Sequence, residues 1–161
     1  MTDILCAIRG GEGSRAVQKA AIQAAVRGDS RLIFLYVVDR RTIGAADEAL
    51  RPFVRDELYW MGKTLLRVAT HRARAAGQTR IDSLIREGEV AEEISRAVID
   101  SGAGQLFIGA SRLGADAAAS ADEFAARVRQ ATGASVEIVA GPMPGGPQVV
   151  ANGGLPAAES E

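Results

Sequence analysis

"ILCAIRGGEGSRA", Ile4 to Ala16, opens on an apolar run, breaks into glycines and resumes as helix-forming sequence. A buried strand that ends in a glycine turn and enters a helix is a common way for an α/β protein to hold a phosphate. Glycines let the backbone approach a ligand, and free N–H groups at a helix start attract anions. Arg9, however, stands at the end of this strand, where a nucleotide site often has an acid. The stretch therefore sets both the fold class and the question of what the turn can still hold.

Working outward, short apolar runs alternate with helical patterns. Ile4–Ile8 reads as a buried strand, and Arg15–Arg27 as an alanine-rich helix ended by Gly28. "LIFLYVV", Leu32–Val38, is apolar throughout, as a strand covered on both faces must be. Arg41–Arg51 is a connection with one helical turn. Pro52 then fits the first position of a long helix with an inward stripe of Val54, Leu58, Met61, Leu65, Val68 and Ala75, stopped by Gly77. Arg80–Gly88 is a third strand with Ile81, Leu84 and Ile85, and Val90–Ser101 a helix with Val90, Ile94, Ala97 and Val98 inward. Gln105–Ala110 is a fourth strand, Ala121–Thr132 a helix presenting Phe124 and Val128, and Ser135–Ala140 a fifth strand. This alternation predicts an α/β fold, an open parallel sheet with helices on both faces, because parallel strands need crossovers.

Composition narrows the classes. The chain has 161 residues, 47% hydrophobic and 24% charged, which fits one globular domain. A net charge of −1 gives no bulk attraction to nucleic acid or anionic lipid. The single cysteine, Cys6, excludes an internal disulfide and a thiolate zinc cage. No run approaches the roughly 18 apolar residues of a membrane span, and "MTDIL" is not a secretory leader, so a cytoplasmic location is expected. Residues 1–141 are expected to form the domain. The Pro/Gly-rich tail, 142–161, is expected to be disordered, since it cannot bury enough apolar surface to offset its ordering entropy.

In open parallel sheets the ligand site lies beyond the carboxyl ends of the strands. Three places qualify. The first is the turn at Arg9, Gly10 and Gly11, where Ser14 could equally be a plain helix cap. Gly11-x-Gly13-x-x-Ala16 loosely satisfies a dinucleotide pattern, with Asp39 ending strand 2 as a ribose-binding acid would. The second place is the end of strand 2 itself, Val37 to Asp39. The third is the loop after strand 4, with Gly109, Ser111, Arg112 and Gly114, a small-residue loop able to wrap a phosphate. There Ser120-Ala121-Asp122-Glu123 reads as a capping box, which would put two carboxylates at the helix start and repel a bound phosphate. His71, the only histidine, reads as a helix-rim residue, and Tyr59 and Trp60 as packing or interface residues. No hydrolase or metal-binding signature occurs.

Taken together, "ILCAIRGGEGSRA", "LIFLYVVD", "REGEVAEEISRAV", "LFIGASRLG" and "VRQATGASVEIV" resemble the universal stress protein (UspA-like) family over about residues 2–140. The resemblance implies a Rossmann-like (adenine nucleotide alpha hydrolase-like) five-stranded sheet ordered 3-2-1-4-5. It also implies a homodimer, commonly formed through strand 5, Ser135 to Ala140. The family's ATP-binding branch carries an aspartate ending strand 1, then Gly-x-x-Gly, nine residues, and Gly-Ser or Gly-Thr. Here those positions hold Arg9, Gly109 with Arg112, and Asp122-Glu123. The resemblance thus implies a non-catalytic stress-response or signalling protein with no cofactor bound in the usual ATP manner and with an unidentified protein partner. The alternative is a divergent sensor of ATP, AMP or cAMP. An enzyme is least expected, since neither a general base nor a phosphate-holding lysine is placed near the cleft. Arg9 is expected to close the cleft by pairing with Asp39, Asp122 or Glu123, or else to clamp a small anion together with Arg112.

Overall fold

The computed structural model describes residues 2–10, 12–110 and 117–140. Five strands appear in chain order: β1 (Ile4–Ala7), β2 (Leu32–Asp39), β3 (Ile81–Gly88), β4 (Gln105–Gly109) and β5 (Ser135–Val139). All neighbours pair in parallel, and the order across the sheet is β3-β2-β1-β4-β5. Ile4 is in register with Leu32 on one side and Gln105 on the other. The helices are α1 (Glu12–Gly28), α2 (Arg40–Ala45), α3 (Arg51–Ala75), α4 (Val90–Ser101) and α5 (Ala117–Thr132), with one 3-10 turn at Glu48–Leu50.

Side chains alternate along a strand, and that period of two splits the core into two layers. Leu5, Ala7, Ile33, Leu35, Val37, Leu106, Ile108 and Val136 face α4 and α5, meeting Ile94, Val98, Phe124 and Val128. Ile4, Cys6, Ile8, Leu32, Phe34, Tyr36, Val38 and Phe107 face α1 and α3, meeting Val17, Ala21, Leu66, Ala69 and Ala73. Burial on both faces is why β2 has no polar residue before Asp39.

Several expected boundaries and faces differ. α1 begins at Glu12, so Ser14 lies inside the helix rather than capping it. The reversal after α1 is made not at Gly28 but at Asp29, with φ of 49°. α5 begins at Ala117 and has no acid in its first turn. Asp122 and Glu123 therefore sit in the second turn, and Ser120 lies inside α5 rather than at its N-cap position. The three preceding alanines, Ala117 to Ala119, are the strongest helix formers and extend the helix past the expected cap.

The inward face of α3 is also rotated from the expected stripe. Gly62, Leu66, Ala69 and Ala73 are buried, whereas Met61, Val68 and Ala75 are exposed. α3 approaches the sheet so closely that a Cβ on Gly62 would overlap the ring of Tyr36. A helix seated on small residues buries glycine and alanine where a hydrophobicity count looks for leucine and methionine. Gly77, at φ of 93°, does end this helix, as expected.

Candidate functional site

The carboxyl ends of β1, β2 and β4 open into a cleft of about 540 Å³. Of the residues singled out in the sequence, Arg9, Gly10, Val37, Asp39 and Gly109 line it. Asp122 does not; two residues before the buried Phe124, it lies on the opposite, solvent-facing side of α5. Gly11, Ser111, Arg112 and Gly114, like the tail at 142–161, lie outside the described residues. The floor is apolar, built from Val37, Leu58, Met61, Ile94, Ile108 and Phe124. Arg41, Thr42 and Glu89 complete a polar rim that the sequence reading missed. The signal for Glu89 was present, since it directly follows the last residue of β3, at the same sheet edge.

Each rim carboxylate has a local task. Asp39 caps α2, its Oδ1 accepting the backbone N–H of Arg41 at 2.9 Å. Glu89 caps α4, its Oε2 accepting the N–H of Glu92 at 2.9 Å, while its Oε1 lies 3.6 Å from the Arg41 guanidinium. The cap on α2 is what turns Arg41 and Thr42 toward the cleft.

Arg9 behaves otherwise than expected. Among the described residues its guanidinium makes no ion pair, so neither Asp39, Asp122 nor Glu123 closes the cleft on it. Instead its backbone N–H points to Ser14 Oγ at 3.4 Å. Ser14 Oγ also accepts from Gln18 Nε2 at 3.1 Å, and Gln18 Oε1 accepts from Arg72 Nη1 at 2.9 Å. A polar relay thus runs from the turn after β1, through α1, to α3.

Beside the cleft, at the end of β3, Glu87 Oε2 accepts from Arg55 Nε and from the Tyr59 hydroxyl, each at 2.8 Å. Arg55 also lies over the Tyr59 ring, 5.2 Å from its centroid. The bond from Arg55, followed by that from Tyr59, holds the Glu87 carboxyl below its ordinary range. The bond to Glu87, followed by burial, raises the Tyr59 hydroxyl. His71 is exposed on α3, away from the cleft. Among the described residues no cluster of three or more His, Cys, Asp or Glu side chains could hold a metal ion. No helix among them is long and apolar enough to cross a membrane.

The comparisons bear on this geometry. No curated protein matches the chain. The structure of a universal stress protein in complex with cAMP matches with a TM-score of 0.64 and 24% identity, over 86% of this chain and 96% of that one. UspA from Lactobacillus plantarum matches with a TM-score of 0.67 and 19% identity, over 86% and 97%. A universal stress protein family protein from Arabidopsis thaliana with AMP bound matches with a TM-score of 0.60 and 14% identity, over 87% and 92%. At such identities these likenesses establish the fold. The model of the universal stress protein family matches residues 1–139, which is the whole sheet and every helix described above. With the sheet order that the resemblance implied and a family match from one end of the domain to the other, the chain belongs to the universal stress protein family.

Proposed function

We propose that this chain is a non-catalytic stress-response or signalling protein, working in the cytoplasm as a homodimer paired through β5. Its cleft takes a small adenine nucleotide, AMP or cAMP, and does not hold ATP in the manner of the family's ATP-binding branch. The observation that carries the reading is Arg9: a cation with no carboxylate partner among the described residues, on the rim of an open cleft with an apolar floor. Such a floor suits a base, and a guanidinium suits one phosphate through paired hydrogen bonds. Two structural neighbours contain cAMP and AMP, which supports this ligand class. Arg9 in the strand-end position, and the lack of a Gly-Ser pair where the usual pose needs one, argue against ATP in that pose. Homodimerisation is supported by β5 being, among the described residues, an outer strand bonded to β4 on one side. Chemistry is disfavoured because the rim carboxylates are engaged as helix caps and the single histidine lies elsewhere.

Calorimetric titration of wild type and Arg9→Ala with AMP, cAMP and Mg·ATP tests the ligand. Saturable binding of AMP or cAMP, weakened about tenfold or more in Arg9→Ala, is the expected outcome. No binding of either, or Mg·ATP bound as tightly as AMP, overturns it.

A further inference from the structure

The outward face of α3 has an unusual composition. Phe53 and Trp60, seven residues apart and so on one line along the helix, are 71% and 68% exposed. Around them stand Glu57 in the first half of the helix and Lys63 and Arg67 in the second, all exposed. The helix dipole favours that order of signs but does not explain two aromatic rings in water. Nor are the charges compensated within the helix. Glu57 has Met61, not a cation, four residues on, while Lys63 and Arg67 are like charges at that spacing and repel by a few tenths of a kcal/mol. Among the described residues none of these three makes an ion pair.

We propose that this face pairs with the same face of a second copy, antiparallel, about a two-fold axis passing beside Trp60. The numbering makes the face self-complementary. Pairing Trp60 with its own copy places Glu57 opposite Lys63, three residues to either side of the axis. It also places Phe53 opposite Arg67, seven residues to either side. One operation therefore buries both aromatics, joins the uncompensated charges and puts a guanidinium on a phenyl face. A single helix face of this length buries about 1,000 Å² in total, which corresponds to a weak, concentration-dependent contact. It lies behind β2 and β3, whereas β5 forms the opposite edge of the sheet, so it is independent of pairing through β5.

Trp60 is the chain's single tryptophan, so its emission reports this face alone. The test dilutes the full-length protein from about 1 mM to about 1 μM, following emission and sedimentation together. The expected result is a red shift on dilution in step with a fall in mass. Glu57→Lys should weaken the association by about tenfold or more, and Glu57→Lys with Lys63→Glu should restore it to within about threefold. Emission unchanged across the range overturns the proposal, including the case where mass changes, since that assigns the association to another surface such as β5. Failure of the double exchange to restore pairing overturns the antiparallel arrangement. A blue shift that appears only with lipid vesicles, or that is lost with a co-purifying polypeptide, gives the face to that partner and overturns self-pairing.

Discussion

Gln18 accepts a hydrogen bond from Arg72 at 2.9 Å, and at 4% exposure it is a nearly buried amide on α1 tied to a charge on α3. Its other end donates to Ser14, which also receives the backbone N–H of Arg9. Gln18→Leu keeps the volume and removes both bonds, leaving Arg72 without its acceptor. We expect a loss of about 1–3 kcal/mol in denaturant unfolding, together with faster hydrogen exchange at the Arg9 amide. Unchanged exchange at Arg9 would show that the relay does not stiffen the turn.

Two glycines give opposite signs for the same substitution. At Gly62 an added Cβ meets the Tyr36 ring and comes within 2.9 Å of Ile85 Cδ1, in a packed layer with nowhere to yield. Gly62→Ala should therefore cost about 1–3 kcal/mol, outweighing the gain of about 1 kcal/mol in helix propensity. At Gly44, in α2, nothing lies within 4 Å. Gly44→Ala should stabilise by about 0.4–1 kcal/mol. Chemical denaturation of both variants checks the pair.

The Glu87–Tyr59 contact ties stability to pH at two ends. The Glu87 carboxyl is held low, chiefly by Arg55, so its contribution is present above the ordinary carboxylate value and is lost as pH falls through the depressed one. The Tyr59 hydroxyl is raised, chiefly by Glu87, so its contribution is present below the ordinary phenol value and is lost as pH rises through the elevated one. Tyr59→Phe should flatten the alkaline limb of the stability profile, soften the acid limb, and cost about 1 kcal/mol at neutral pH. Thermal unfolding across the pH range reads both limbs; an unaltered alkaline limb would refute the assignment.

Asp39 ends β2 where a ribose-binding acid would stand, and its carboxylate also caps α2. Substitution separates the roles. Asp39→Ala should lose about 1 kcal/mol, fray α2 and weaken nucleotide binding through displaced Arg41 and Thr42. Asp39→Asn keeps an oxygen acceptor and should restore both stability and binding. If Asp39→Asn binds as poorly as Asp39→Ala, the carboxylate touches ligand directly.

The strands were legible because continuous apolar runs such as Leu32–Val38 have no other use than burial on two faces. Helix starts were not, since Ser14 and Ser120 offered capping chemistry that the preceding residues of α1 and α5 override by extending each helix. The face of α3 was misread because its contact is made by Gly62, Ala69 and Ala73, which weigh little in a hydrophobic pattern. Within the cleft, Arg9, Val37, Asp39 and Gly109 could be placed because strand ends are fixed by topology. Arg41 and Thr42 could not, since their position depends on a cap that turns the chain after β2. Glu89 could have been placed by the same rule as Asp39, and extending that rule to an outer strand would have found it.

Of the five strands β1 is synthesised first, yet it occupies the middle of the sheet, and its far neighbour starts at Gln105. Until that segment emerges, one long edge of the nascent strand has no mate. Contacts so distant along the chain are slow to form, so folding should lag well behind synthesis of the first βα unit. A truncated chain ending before β4 would leave the backbone of Leu5 and Cys6 unpaired along that edge, a template for strand-to-strand aggregation that the full-length chain covers.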